Sequence, residues 1–154
     1  MGIEIERKFL VLSDEWKNHI KRSFEIKQGY FSTTDGSAIR SRISDNGSYI
    51  TIKLPKNGLN ECPEYEYHIP QNEAEELIAW CHPKVISKIR NEVEWEGRIW
   101  EVDVFNGKYD GLVIAEIELT NPTENVPRPH WCGKEVTDDI QYTNKYMAQH
   151  IWGS

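Results

Sequence analysis

Charge and apolarity alternate residue by residue along most of this chain, and that period of two constrains its fold more than any other feature. Successive side chains of a β-strand point to opposite faces. In residues 3–11, Glu4, Glu6 and Lys8 share one face and Ile3, Ile5 and Phe9 the other. Arg40 and Arg42 oppose Ile39 and Ile43; Lys53 opposes Ile50, Ile52 and Leu54; Glu64 and Glu66 oppose Tyr65, Tyr67 and Ile69. Lys88 and Arg90 oppose Val85 and Ile89; Glu101 and Asp103 oppose Trp100, Val102 and Val104; Glu116 and Glu118 oppose Ala115, Ile117 and Leu119. The solvated face of an ordinary antiparallel sheet mixes Thr, Ser, Gln and Lys. Here nearly every such position carries a carboxylate or a base.

Turn chemistry divides the chain into about eight strands, over 3–11, 24–34, 37–45, 48–54, 63–69, 84–95, 98–105 and 112–120. Asp35-Gly36, Asn46-Gly47 and Asn106-Gly107 are hairpin signals. Pro55, Pro63 and Pro70 fall at strand ends, where a missing amide donor is tolerated. Three helices are expected: 14–22 capped by Ser13; 73–82 started by Asn72 with Glu75 and burying Ala74, Leu77, Ile78 and Cys81; and 143–152 burying Tyr146, Met147 and Ile151. Trp16, Trp80 and Trp152 on these helices should pack on the outside of the sheet, and 121–135, with Pro122, Pro127 and Pro129, reads as a loop.

The expected fold class is mainly β (α+β), an eight-stranded antiparallel closed β-barrel flanked by the helices, with residues 1–154 as one domain. With the charged faces inward, six bases (Lys8, Arg40, Arg42, Lys53, Lys88 and Arg90) share a lumen with eight acids. Such a lumen is costly to dehydrate and should stay water-filled around a ligand.

The chain carries 25 acidic and 18 basic residues, a net charge of −7. That argues against duplex nucleic acid and anionic membrane surfaces, which read the exterior. It does not exclude a small polyanion held inside. Apolar runs are too short to span a bilayer, and Glu4, Glu6, Arg7 and Lys8 interrupt any leader-like segment, which points to a cytoplasmic protein. Cys62, Cys81 and Cys132 lack a C-x-x-C spacing and fit reduced thiols. Cys81-His82 and His130 with Cys132 fall short of the paired ligands a structural zinc site needs.

Bases at these strand positions suit a linear polyanion, with Arg offering a fork to phosphate oxygens and Lys a point charge. Carboxylates repel phosphate, so their presence beside the bases implies a bridging Mg²⁺ or Mn²⁺ and metal-assisted phosphoryl transfer.

Glu4-Ile5-Glu6-Arg7-Lys8 contains the E-x-E-x-K signature of the CYTH superfamily, the triphosphate tunnel metalloenzymes. The resemblance continues through Gln28-Gly29-Tyr30, Arg40 and Arg42, Thr51-Ile52-Lys53, Glu64-Tyr65-Glu66, Lys88-Ile89-Arg90, Glu101 to Phe105, Glu116-Ile117-Glu118, and Gly133 to Thr137 with Tyr142, Asn144 and Lys145. The chain is most similar to the short, single-domain bacterial members that hydrolyse inorganic triphosphate. The resemblance implies Glu4, Glu6, Glu116 and Glu118 as metal ligands, with Asp103 and Glu64 as further carboxylates at a second metal or a water. It implies Lys8, Arg40, Arg42, Lys53, Lys88 and Arg90 as triphosphate ligands. It also associates Tyr30 and Lys88 with catalysis, together with Glu6 and Glu116.

Within the same superfamily, nucleoside or thiamine triphosphate hydrolysis and adenylyl cyclisation are alternatives. A non-catalytic polyphosphate or nucleotide sensor is another, and a lipocalin-like apolar-ligand barrel is disfavoured by the charged faces. Glu92 and Glu94 read as rim residues, and so does His68. The apolar neighbours expected around Arg40 and Arg42 are thin at Ser37, Ala38 and Ser41. Exposed Trp and Tyr on outer faces leave a homodimer open.

Overall fold

In the computed structural model, which describes residues 2–57 and 61–150, the alternation produces one antiparallel sheet. Its strands are β1 (Gly2–Glu4), β2 (Glu6–Val11), β3 (Ile20–Phe31), β4 (Ala38–Ser44), β5 (Gly47–Lys53), β6 (Cys62–His68), β7 (Val85–Trp95), β8 (Arg98–Phe105), β9 (Val113–Glu118) and β10 (Cys132–Glu135). Helix α1 (Gln71–Cys81) follows β6, and α2 (Asn144–Gln149) closes the described chain.

The expected closed, eight-stranded barrel is corrected on two counts. The sheet has ten strands among the described residues, and its order, β1-β6-β5-β4-β3-β7-β8-β9-β2-β10, is open, with no pairing between its ends. One added strand comes from a break at Ile5, whose carbonyl accepts the Leu119 amide at 2.8 Å. Gly2–Glu4 then pairs with β6, whereas Glu6–Val11 pairs with β9. The other is β10, inside the expected loop, where Cys132 and Glu135 pair with Val11 and Phe9. Because β1 and β2 are successive parts of one segment yet lie far apart in the strand order, the sheet must bend round upon itself. It is curled and not closed.

A two-residue hairpin joins β7 to β8 at Glu96-Gly97, both at positive φ (49° and 76°), with Trp95 paired to Arg98. This Glu-Gly turn lies outside the Asn-Gly and Asp-Gly signals. Asn46-Gly47 does form a hairpin, with Ser44 paired to Gly47. Asp35-Gly36 and Asn106-Gly107 instead lie in longer connections, the second with a short 3-10 turn at Gly107–Tyr109.

The first expected helix is only a 3-10 turn, Glu15–His19, that buries Trp16; Ile20 already begins β3, drawn into the ladder with β7. Helix α1 starts at Gln71, where the Pro70 carbonyl accepts from Glu73 and Ala74, so Asn72 lies in the first turn and is not the cap. Ala74, Ile78 and Cys81 are buried as expected, but Trp80, expected to pack on the sheet, is exposed. The described part of the last helix buries Met147 and Ala148; expected Ile151 and Trp152 lie outside the described residues.

Helix α1 lies over β3, β4 and β5. A Cβ at Gly29 would stand 2.8 Å from Cys81 Cβ and 3.2 Å from Ile78 Cα, so this position requires glycine. Its ladder partner Ser41 is fully buried and donates to the Ala74 carbonyl at 3.1 Å. The small residues around Arg40 and Arg42 are thus where the helix approaches the sheet.

The apolar faces point outward and are covered in part, with Ile3, Leu54, Tyr67 and Ile89 left exposed. Phe9, Trp100, Val102, Ala115 and Ile117 pack with Trp16, Val126 and Trp131, the Trp100 ring lying 5.7 Å from both Phe9 and Trp131. On the inner face, at one end of the sheet, Met147 and Ala148 of α2 pack with Tyr30, Ile86, Phe105 and Ile114. Fully burying one such side chain contributes about 1.5–3 kcal/mol. No helix among the described residues is long and apolar enough to cross a membrane.

Candidate functional site

The concave face of the curled sheet encloses a cavity of about 750 Å³. Glu4, Glu6, Lys8, Arg40, Arg42, Lys53, Glu64, Glu66, Lys88, Arg90, Glu101, Glu116 and Glu118 all line it, and Tyr30 joins them from β3. The strand alternation therefore delivers the expected charged interior. Asp103 is the exception. It is fully buried behind the cavity wall, and Arg90 Nε and Nη2 grip its two oxygens at 2.8 Å while Lys88 Nζ lies 2.7 Å away. The ladder registers Arg90 against Asp103 directly, so the acid is committed to holding two bases.

The bases differ in their company. Lys8 Nζ lies 3.7 Å from both Glu6 and Glu116. Burial pulls its ammonium down, but Glu116, Glu6 and their neighbours outweigh it and raise it. Lys53 Nζ lies 2.8 Å from Glu4 and 3.7 Å from Glu64, and is likewise raised against the effects of burial and of nearby Arg40. Lys88 goes the other way. Its dehydration exceeds what Asp103 returns, and the ammonium is lowered to about 8.

No ion pair to Arg40 or Arg42 is found among the described residues, and Arg40 Nε is buried with no hydrogen-bond partner. Burial, with Arg40 and Arg90 adjacent, lowers Arg42 to about 10. Arg40 goes the other way: burial lowers it too, but Tyr30, Glu4 and Glu64 outweigh that and raise it, so Arg42 is the guanidinium left least compensated until an anion arrives.

The carboxylates show the opposite excess. Burial first, then Glu6, raises Glu116; burial, then Glu4 and Glu6, raises Glu118. Glu101, which sequence reasoning placed on the inner face without a role, is pushed up to about 7 by burial although it lies 3.2 Å from Arg90. Glu64 is lowered: burial pushes it up, and contact with Glu4 together with Lys53 and Arg40 overrides that. Among the described residues no three acids, His or Cys converge into a ready metal centre. The donor chemistry nonetheless fits a hard divalent cation. The donors are all carboxylate oxygens, Glu116 and Glu118 are raised in part by neighbouring acids, and Glu4 Oε2 is buried near Lys53 without hydrogen-bond geometry.

Two lining or buried residues of the site went unassigned in the sequence reading. Gln28 is fully buried, accepts from Arg42 Nε at 2.8 Å and donates to the Tyr30 hydroxyl and to Asn144 Oδ1 at 3.0 Å. Asn144 also accepts from Lys88 Nζ at 2.8 Å. Both stand in the motifs that carry the resemblance, Gln28 two residues before Tyr30 and Asn144 between Tyr142 and Lys145, but without a role. Glu92 and Glu94 pair outside with Arg22 and Lys21, and His68 stacks on Tyr49 at 4.2 Å. Cys81 faces Gly29, and His130 packs edge-on against Trp95.

The model of the CYTH domain matches residues 2–151. A protein of Acetivibrio thermocellus named inorganic triphosphatase is 39% identical over 151 residues, covering 97% of this chain and 96% of that one. A protein of the same name from Nitrosomonas europaea is 32% identical over 152 residues, covering 96% and 98%. A crystal structure described as an inorganic triphosphatase superimposes with a TM-score of 0.72 at 31% identity, covering 98% of this chain and 97% of that one.

Proposed function

The chain belongs to the CYTH domain family, and from that premise we propose that it is an inorganic triphosphatase acting as a single unit over residues 1–154. The observation that carries the reading is the cavity's division of charge. Arg40 and Arg42 face inward with no ion pair among the described residues, across from carboxylates that outnumber the lysines between them.

In this reading Arg40 and Arg42 grip phosphate oxygens, and Lys8, Lys53, Lys88 and Arg90 extend the grip along the chain of phosphates. Glu4, Glu6, Glu116 and Glu118 hold Mg²⁺ or Mn²⁺, with Glu64 beside them; when bound, the cation screens phosphate charge and orients water. Asp103, enclosed by Lys88 and Arg90, serves to position those bases and not to ligate. Attack of water on the terminal phosphorus breaks the anhydride bond and releases phosphate and diphosphate, while the bases offset the charge on the departing oxygen. Lys88, lowered to about 8, exchanges its proton near neutrality, as an ordinary lysine does not. It and Tyr30 are assigned the proton handling.

The test is phosphate release from tripolyphosphate, ATP, thiamine triphosphate and pyrophosphate, with Mg²⁺, Mn²⁺ or EDTA. Tripolyphosphate should be the preferred substrate, and EDTA should stop turnover. Full activity in EDTA would exclude the metal role; preferential cyclic AMP formation from ATP would replace the hydrolase reading with a cyclase.

A further inference from the structure

We infer that Gln28 and Asn144 form a neutral positioning pair that orients Tyr30 and Lys88, making the C-terminal helix α2 part of the site. The inference rests on the triphosphatase reading above. Its warrant is the direction of each hydrogen bond. A guanidinium only donates, so the bond from Arg42 Nε to Gln28 Oε1 at 2.8 Å turns the Gln28 amino group the other way. That group donates at 3.0 Å to the Tyr30 hydroxyl oxygen and at 3.0 Å to Asn144 Oδ1. The Lys88 ammonium, also only a donor, reaches the same Asn144 Oδ1 at 2.8 Å and fixes that amide too.

Both amides thereby have one permitted orientation, set from the two ends by Arg42 and Lys88. Two consequences follow. The Tyr30 oxygen is an acceptor toward Gln28, which leaves its own O–H for another partner, and Tyr30 lines the cavity. Lys88 Nζ is held between Asn144 and Asp103, 2.8 and 2.7 Å away. Gln28, Tyr30 and Lys88 are all almost wholly buried, so water does not replace a missing partner cheaply.

Asn144 is also separable from the anchoring of α2. Lys145 Nζ donates to Thr33 Oγ1 at 2.8 Å and to the Ser37 carbonyl at 2.5 Å, and Lys108 Nζ donates to the Ala148 carbonyl at 2.8 Å. The Tyr109 hydroxyl donates to the His150 carbonyl at 2.5 Å. These contacts hold the helix when Asn144 is changed.

The experiment is steady-state hydrolysis of tripolyphosphate by the full chain and its Asn144 variants. Asn144→Ala should lower kcat by about 10–100-fold, the usual cost of misplacing reacting groups, with KM within about twofold because the other phosphate-gripping bases make no direct contact with Asn144. Asn144→Asp keeps an acceptor oxygen toward Lys88 but adds a charge that favours the ammonium, so it should return kcat to within about threefold of wild type at its own pH optimum, shifted upward. If the alanine chain does not fold, Asn144→Ser, whose hydroxyl falls short of Lys88, is read in its place. An unchanged kcat in Asn144→Ala, parallel changes in kcat and KM, or no rescue by aspartate overturns the inference while wild-type turnover stands. Wild type without turnover overturns the triphosphatase reading itself, a distinct outcome.

Discussion

The two flanks of the cavity carry the same kind of residue in opposite states. On the β3–β4 side, Arg40 and Arg42 have no ion pair among the described residues, and Arg40 Nε is buried without a partner. On the β7–β8 side, Lys88 and Arg90 share Asp103, an acid with no exposure at all. A buried base with its own acid is already neutralised and rigid; a buried base without one awaits an anion from outside. The comparison separates bases that an internal acid holds in place from bases with no ion pair of their own, although their side chains are interchangeable in composition.

The sharpest way to break this contrast is to remove the shared acid. Asp103→Asn leaves Lys88 and Arg90 buried without their counter-charge and should lower stability by about 3–5 kcal/mol in urea unfolding. An unfolding midpoint like that of wild type would show that the acid does not hold them.

On the other flank Arg40→Ala should do the reverse. Loss of charge-assisted bonds worth about 1.5–3 kcal/mol raises KM for tripolyphosphate about 10–100-fold. Its unfolding midpoint should not fall, since no internal ion pair is lost. A destabilised chain with normal KM would exchange the two flanks' roles.

The pH dependence sharpens the Lys88 side. Its ammonium is lowered from the ordinary 10.5 to about 8, chiefly by burial. Below pH 8 both folded and unfolded chains hold the proton, and above 10.5 neither does. Between these values the unfolded chain binds more protons, so stability rises with pH across that window. Relative to Lys88→Met, wild type should gain about 2 kcal/mol between pH 7 and pH 9.5. A flat difference would mean that Asp103 fully offsets the dehydration.

The smallest expected effect concerns the support behind β3. Gly29→Ala pushes a methyl group against Cys81 and the α1 backbone and should cost about 1–2 kcal/mol in thermal unfolding. If it also raises KM, the grip of Arg40 and Arg42 depends on the seating of α1.

The alternation was legible because strand geometry is local. From Glu4 to Glu118 it names the cavity-lining charges, with Asp103 as the one misplaced as a candidate ligand. Its inward parity was readable, its depth was not, because depth follows from the register of β7 against β8. The break at Ile5 and the strand β10 were equally hidden. Both arise from bonds to distant backbone, Leu119 to Ile5 and Val136 to Lys8, that leave no local mark. The open, curled sheet follows from that break, so the closed barrel expected from the count of strands does not form.

The thin apolar surroundings of Arg40 and Arg42 looked like a weakness in the sequence and are a docking patch in the structure. Gly29 and Ser41 are small because α1 lies on them. Gln28 and Asn144 stand 116 positions apart and meet only when α2 folds over the cavity.

What the sequence determined by itself is which side chains share a face, since a period of two is a property of any strand wherever it pairs. Hence a net charge of −7 was compatible with an interior built for a polyanion. Only the tertiary structure decided which of those charges neutralise one another and which remain for a ligand. Ion pairing depends on register, depth and the curl of the sheet, and these are set by contacts between residues far apart along the chain.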